Sequence, residues 1–245
     1  MSSTVKMFAP EGKVLASSDS WEIQTGANPT ISRQRAQALG SDGDEIAAAQ
    51  YGAQIQYSEH GVAKISTGSF TIPAGGAIVN GAHVDSVDVS YSQTDFPSID
   101  VSSHQHASVA GVAAIHGTCR TYTSTVVLPA RAIGVPTTLD DTDGNTIFEM
   151  PSGCGMRSLK YSLKVNHVDE PGSAGDHLAA ENYDGTETLT LEFTGDVAIA
   201  DLNIDTTNWM LPESSGLSSG NTSATTTSVT LVRHIAHDTP ASSES

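Results

Sequence analysis

His104 and His106 stand two residues apart in Ser98-Ile-Asp-Val-Ser-Ser-His-Gln-His106. On a strand, that spacing turns both imidazoles to one side, where they can offer two metal ligands. His83, His116 and Asp100 are the residues that would complete such a site if the fold gathered them. A His pair on a strand more often belongs to a surface or an interface, and the sequence favours that reading, with no metal expected. Asp140-Asp-Thr-Asp-Gly-Asn145 is rich in acids, but Leu139 stands where a calcium loop would need another acid. No Glu closes the loop either, so a tight turn is expected. Gly216-Leu-Ser-Ser-Gly220 matches the outline of a nucleophile elbow. An elbow needs a sharp strand-to-helix turn, and no helical pattern follows. Asn221-Thr-Ser223 is a formal glycosylation sequon with no secretory leader pattern in the opening residues. There is no phosphate-cradling Gly-Lys-Ser/Thr loop, no dinucleotide fingerprint and no His-Glu-x-x-His. The expectation is a non-enzymatic protein with no catalytic, cofactor-binding or metal residues.

Charge narrows the partners. The 245 residues carry 11 Lys plus Arg against 28 Asp plus Glu, a formal net charge of −17. Such a surface repels phosphate backbones and anionic lipid headgroups. No stretch approaches the roughly 20 apolar residues of a membrane span. A soluble chain made in a cytoplasm, with no membrane partner, is expected. Cys119 and Cys154 are too few for a disulfide framework or a four-thiolate zinc site, and read as small buried apolar residues.

The elements that would position these residues read as strands. Thr, Ser, Val, Gly and Ala dominate while long charged side chains are sparse, which favours strands and turns. Period-2 alternation marks Gln54–Glu59, Val84–Tyr91, Ser98–His106, Leu159–Val165, Thr186–Phe193 and Thr225–Ile235. One wet and one packed face suits antiparallel sheets. Ala74-Gly-Gly76, Asp143-Gly-Asn145 and Asp184-Gly185 read as turns. Ala107–Ile115 is the one short helix expected. Glu213–Thr227 reads as a mobile loop and Asp238–Ser245 as a disordered tail.

Gly40-Ser-Asp-Gly-Asp-Glu-Ile-Ala-Ala-Ala-Gln-Tyr51 can be laid over Gly172-Ser-Ala-Gly-Asp-His-Leu-Ala-Ala-Glu-Asn-Tyr183. Seven of the twelve positions are identical, at an offset of 132 residues from Gly40 to Gly172. Both segments run into an alternating strand. The organisation this suggests is an N-terminal arm (1–32), a first β unit (33–130), a second β unit or continuation of the same sandwich (131–237), and a tail (238–245). Duplication and chance similarity both fit these residues.

Arg33–Tyr57, with its Asp/Gly turn and Ile-Ala step leading into an alternating strand, resembles the early part of tail tube proteins of tailed bacteriophages. Val84–His106, two alternating strands broken by Asp95-Phe-Pro97, resembles the strands that follow. The resemblance implies an all-β antiparallel sandwich or partly closed barrel. It also implies copies that close into trimeric or hexameric rings, stacked into a tube in the virion. Such a tube contacts other virion proteins and lets DNA pass without specific binding. The N-terminal arm and residues 61–83 would bridge neighbouring rings. Three duplicated protomers would act as six units. A capsid decoration, tail-tip or adhesin protein shares this composition. A carbohydrate-binding sandwich would instead need an exposed aromatic platform, with Trp21 and Trp209 as its material.

Overall fold

The alternation written into the chain becomes alternation of burial. Leu159, Tyr161, Leu163 and Val165 are buried while Lys160 and Lys164 between them are exposed. The structure, a computed structural model, describes residues 12–42, 44–106, 120–150, 153–171, 177–195, 202–210, 216–220 and 223–236. Its strands are β1 (Trp21–Thr25), β2 (Thr30–Leu39), β3 (Glu45–Ala63), β4 (Ile78–Val79), β5 (Ala82–Ser92), β6 (Ser98–His106) and β7 (Val126–Val127). They continue with β8 (Thr138–Asp141), β9 (Thr146–Glu149), β10 (Gly155–Pro171), β11 (His177–Thr194), β12 (Asn203–Ile204), β13 (Gly216–Gly220) and β14 (Ser223–Ile235). One 3₁₀ turn, Leu15–Ser17, is the helical content of the described residues. The expected helix at 107–115 and the tail at 238–245 lie outside them, as does Cys119. Cys154 is part-buried against the core.

All pairings between strands are antiparallel, in two open sheets. The fold is therefore all-β and sandwich-like, and neither sheet closes into a barrel. The large sheet runs β1-β3-β6-β5-β10-β11-β14-β13, with β2 also pairing β3 and β4 pairing β5. The small sheet runs β12-β9-β8-β7. Its Leu139, Ile147 and Phe148 belong to the same apolar cluster as Leu159, Leu191 and Leu231 of the large sheet. Phe148 meets Phe193 with ring centroids 5.8 Å apart, a tilted contact between the sheets. Residues 14–25, read from sequence as part of an arm, instead supply Val14, Leu15 and Trp21 to this core. Buried Glu59 accepts the backbone N–H groups of Lys13, Val14 and Leu15 and fastens that segment down.

Two readings of the joints change. Residues 216–220 and 223–224, expected in a mobile loop, are β13 and the start of β14, because Thr- and Ser-rich chain is also good strand material. Asp184-Gly185 is a bulge inside β11, where the β10 register shifts between Val165 and Asn166. Asp184 takes φ +53° there. A Cβ on Gly185 would sit 2.2 Å from the Tyr122 ring, so that position requires glycine. The Asp143–Asn145 turn is as expected, with Gly144 at φ +83° between β8 and β9.

The large sheet repeats itself. Its first half is ordered β2-β3-β6-β5 and its second half β10-β11-β14-β13, the same order of equivalent strands in chain sequence. The ladders repeat too. The β2–β3 register shifts between Ser32 and Gln34 and between Ala38 and Leu39. The β10–β11 register shifts between Val165 and Asn166 and between Glu170 and Pro171. Displaced by the same 132 residues from Gly40 to Gly172, these irregularities coincide. Each matched segment runs into the returning strand of its pair, β3 from Glu45 and β11 from His177. The halves meet along a seam, β5 against β10, from Ser92 opposite Ser158 to Ser86 opposite Lys164.

Candidate assembly surfaces and a buried histidine cluster

Each half throws out a long hairpin. Among the described residues, β3 pairs with β6 only from Gln54 onward, so its earlier residues pair with β2 alone. Ile31, Leu39 and Ile46 on this hairpin are 63%, 58% and 71% exposed. Three large apolar side chains on one projecting element are poorly placed in water. The second hairpin, β10–β11, likewise runs past its neighbours. β5 leaves β10 at Lys164 and β14 leaves β11 at Gly185. Val168 and Tyr183 are exposed there. Among the described residues, at the ends of the large sheet, β2 pairs only with β3 and β13 only with β14. Both edges therefore carry backbone groups able to accept another strand.

The histidines tell a different story from a surface pair. His104 is 4% exposed and His83 fully buried. They face each other across β5 and β6, with rings stacked 5.1 Å apart. A third ring, His167 of β10, lies 4.3 Å from His104 and 5.7 Å from His83. The structure therefore brings His83 to His104, as a shared site would require. It leaves Asp100 elsewhere, 2.8 Å from His60 on an exposed face. His116 lies outside the described residues, and so does the side chain of His106. His167 was not singled out from sequence. Its signal was the alternation of β10, because Leu159, Tyr161, Leu163 and Val165 put His167 next on the inward face.

The cluster has ordered supports. His104 Nδ1 lies 2.6 Å from Asp85 Oδ1, and His167 Nδ1 lies 2.9 Å from Asn182 Oδ1. Asn182 Nδ2 donates to the carbonyls of Gly76 and Arg120 at 3.1 and 3.0 Å. Gly76, at φ +73°, must lack a side chain, because a Cβ would come within 2.5 Å of Asn182 and of the Arg120 carbonyl.

The remaining sequence candidates resolve structurally. Asp141 Oδ1 accepts from the backbone N–H groups of Asp143 and Asn145, closing the turn expected there. The Asn145 hydrogen bond is the main cause holding the Asp141 carboxyl below its ordinary range. Gly216–Gly220 is strand, without the turn into a helix that an elbow needs. Trp21 and Trp209 are each 1% exposed and form no platform for a sugar. Buried Glu187 accepts from Thr125 N and Tyr161 Oη, each at 2.8 Å, and from Thr125 Oγ1. Arg233 Nη1 donates to Thr125 Oγ1 at 3.1 Å, so this network braces β14 against the 120–125 segment. No family model matches this chain, and comparison with curated proteins finds no match.

Proposed function

We propose that this chain is a self-assembling structural subunit, a tail tube protomer whose copies join edge to edge into stacked rings. The repeated strand order of the large sheet carries the reading. Inside one chain, the last strand of the first half (β5) already joins the first strand of the second half (β10). The equivalent strands at the two ends, β13 and the β1–β2 edge, have no such partner among the described residues. Repeating the internal seam between copies makes a heterologous contact, which closes into a ring when the rotation allows. Three chains would then present six units. The exposed apolar hairpins supply contacts beyond the seam, and the charge of −17 suits a conduit to which DNA must not stick.

Extended from one copy to the next, the internal ladders predict a register. His234 of β14 faces Thr186 as His106 of β6 faces Gln54. Gly216, opposite Ser228, is thus the counterpart of Asp88, opposite Asp100. Asp88 meets Ser162 across the seam, and the counterpart of Ser162 is Thr30. Continuing the ladder, Ser218 of one copy should face Asn28 of the next. The test is a Ser218→Cys, Asn28→Cys double variant, oxidised and viewed by denaturing gel and negative-stain microscopy. Covalent ladders absent from either single variant, with rings or tubes on the grid, are expected. Monomers at every concentration with no cross-link count against the proposal.

A further inference from the structure

In an antiparallel sheet the backbone of successive residues turns alternately to one neighbouring strand and to the other. On an edge strand, every second residue therefore holds its N–H and C=O outward. Hydrogen bonds fix that parity on both edges of the large sheet. Asn28 N donates to Ser58 O at 3.4 Å, so Asn28 faces β3 and Pro29 faces outward. At the other edge, Met210 and Val232 exchange both backbone bonds, at 2.8 and 2.9 Å, so Val232 turns away from β11. The β11–β14 register holds from Val232 to Ser228, so Ser228 also turns away from β11, towards Gly216. Gly216 thus spends its backbone on β14, and Leu217 holds its own outward.

The predicted register between copies sets Gly216 opposite Thr30, and so Leu217 opposite Pro29. The internal equivalent is Val89 opposite Tyr161 on the β5–β10 seam. Ala63 N donates to Pro97 O, so Pro97 and Ile99 turn to β3 while Asp100 turns to Asp88. Val89 therefore turns to Tyr161, which has an N–H to give it. Pro29, in the same place, has none.

We propose that Pro29 is a guard on the joining edge, withholding the donor that the internal seam has at this position and so making the joint between copies the weaker, reversible one. Sheets accept proline on an edge strand when its nitrogen lies on the open side, and edge prolines restrain uncontrolled strand pairing. Pro29 is exposed and belongs to residues 26–29, which divide β1 from β2. In the second half, β10 runs unbroken from Gly155 to Pro171 through the equivalent residues, Ser158 to Tyr161. The same path is a full strand where it is sealed inside the chain and a proline-interrupted one where it meets another copy. Ile31, two residues on, also turns its backbone outward and keeps its N–H, so joining is weakened rather than forbidden. This inference rests on the assembly reading and names the regulation of its contact.

The experiment compares the full chain with Pro29→Ala and Pro29→Val, both of which restore the N–H. Sedimentation velocity over a concentration series gives the threshold for assembly, and negative-stain microscopy identifies what forms. Both variants should assemble at a threshold lower by roughly 2- to 10-fold, the worth of one net backbone hydrogen bond at each joint. Assembly of the variants with the parent chain still monomeric supports the guard equally. A lower threshold for valine alone assigns the effect to the side chain and overturns the guard. A parent that assembles beside variants of unchanged or higher threshold overturns the guard and leaves the assembly reading standing. Monomers from all three at every concentration overturn both. Because Pro29 is exposed, both variants should fold, with monomer melting as the check. If one misfolds, the threshold of the other decides.

Discussion

At the residue scale, the same alternation that buries leucine also buries acids, and the chain must then satisfy them. Glu59 follows Ile55 and Tyr57 on one face of β3, and Glu187 precedes Leu189 and Leu191 on β11. Each is nearly inaccessible, and each accepts several hydrogen bonds, as a buried carboxylate must. Their placement was legible from period 2 alone, but their partners were not, because those come from residues about 45 and 62 positions away. Tyr161, against Glu187, has its phenol pushed well above the ordinary tyrosine value, by burial first and by the Glu187 charge second. Tyr91 is raised as well, chiefly by burial. A raised folded-state value contributes stability that is present below the unfolded value, about 10 for tyrosine, and is lost as pH rises beyond it. Stability should therefore fall above about pH 10. In a spectrophotometric titration, Tyr91 and Tyr161 should ionise only as the fold opens. Full ionisation of every tyrosine with the circular dichroism intact would contradict this.

At the scale of elements, the six alternating segments lie within β3, β5, β6, β10, β11 and β14. The short strands β7, β8, β9 and β12 were not foreseen, because two to four residues carry too little periodicity to register. β13 and the start of β14 were hidden by composition, since Ser, Thr and Gly serve loops and edge strands alike. The long hairpins were half visible, since the matched segments run into β3 and β11. Exposure of Ile31, Leu39 and Ile46 on the β2–β3 hairpin separates folding from association. Changing all three to Thr should alter monomer melting little, because exposed substitutions usually stay within about 0.5 kcal/mol each. Ring or tube formation should be lost or require much higher concentration, as judged by analytical ultracentrifugation. Unimpaired assembly of the triple variant would remove the hairpin from the contact surfaces.

At the scale of the whole molecule, charge and symmetry act together. Copies carrying −17 each repel one another, with a range set by salt: about 30 Å at 10 mM and about 3 Å at 1 M. Association should therefore strengthen as sodium chloride is raised, with light scattering as the measure. Dissociation by salt would instead mean that opposite charges hold the copies together. How the two sheets pack, and how the halves of the large one align, lay beyond sequence periodicity. Period 2 sets which face a residue takes, not which strand becomes its neighbour.

The seam between β5 and β10 has a further consequence. Because both of its strands belong to one polypeptide, it cannot come apart without unfolding the chain. A contact of the same geometry between copies could still open and close freely. A ring built on this plan would be uneven around its circumference, with permanent joints alternating with separable ones. Under force or dilution it would part along every second joint, releasing intact chains rather than half-units.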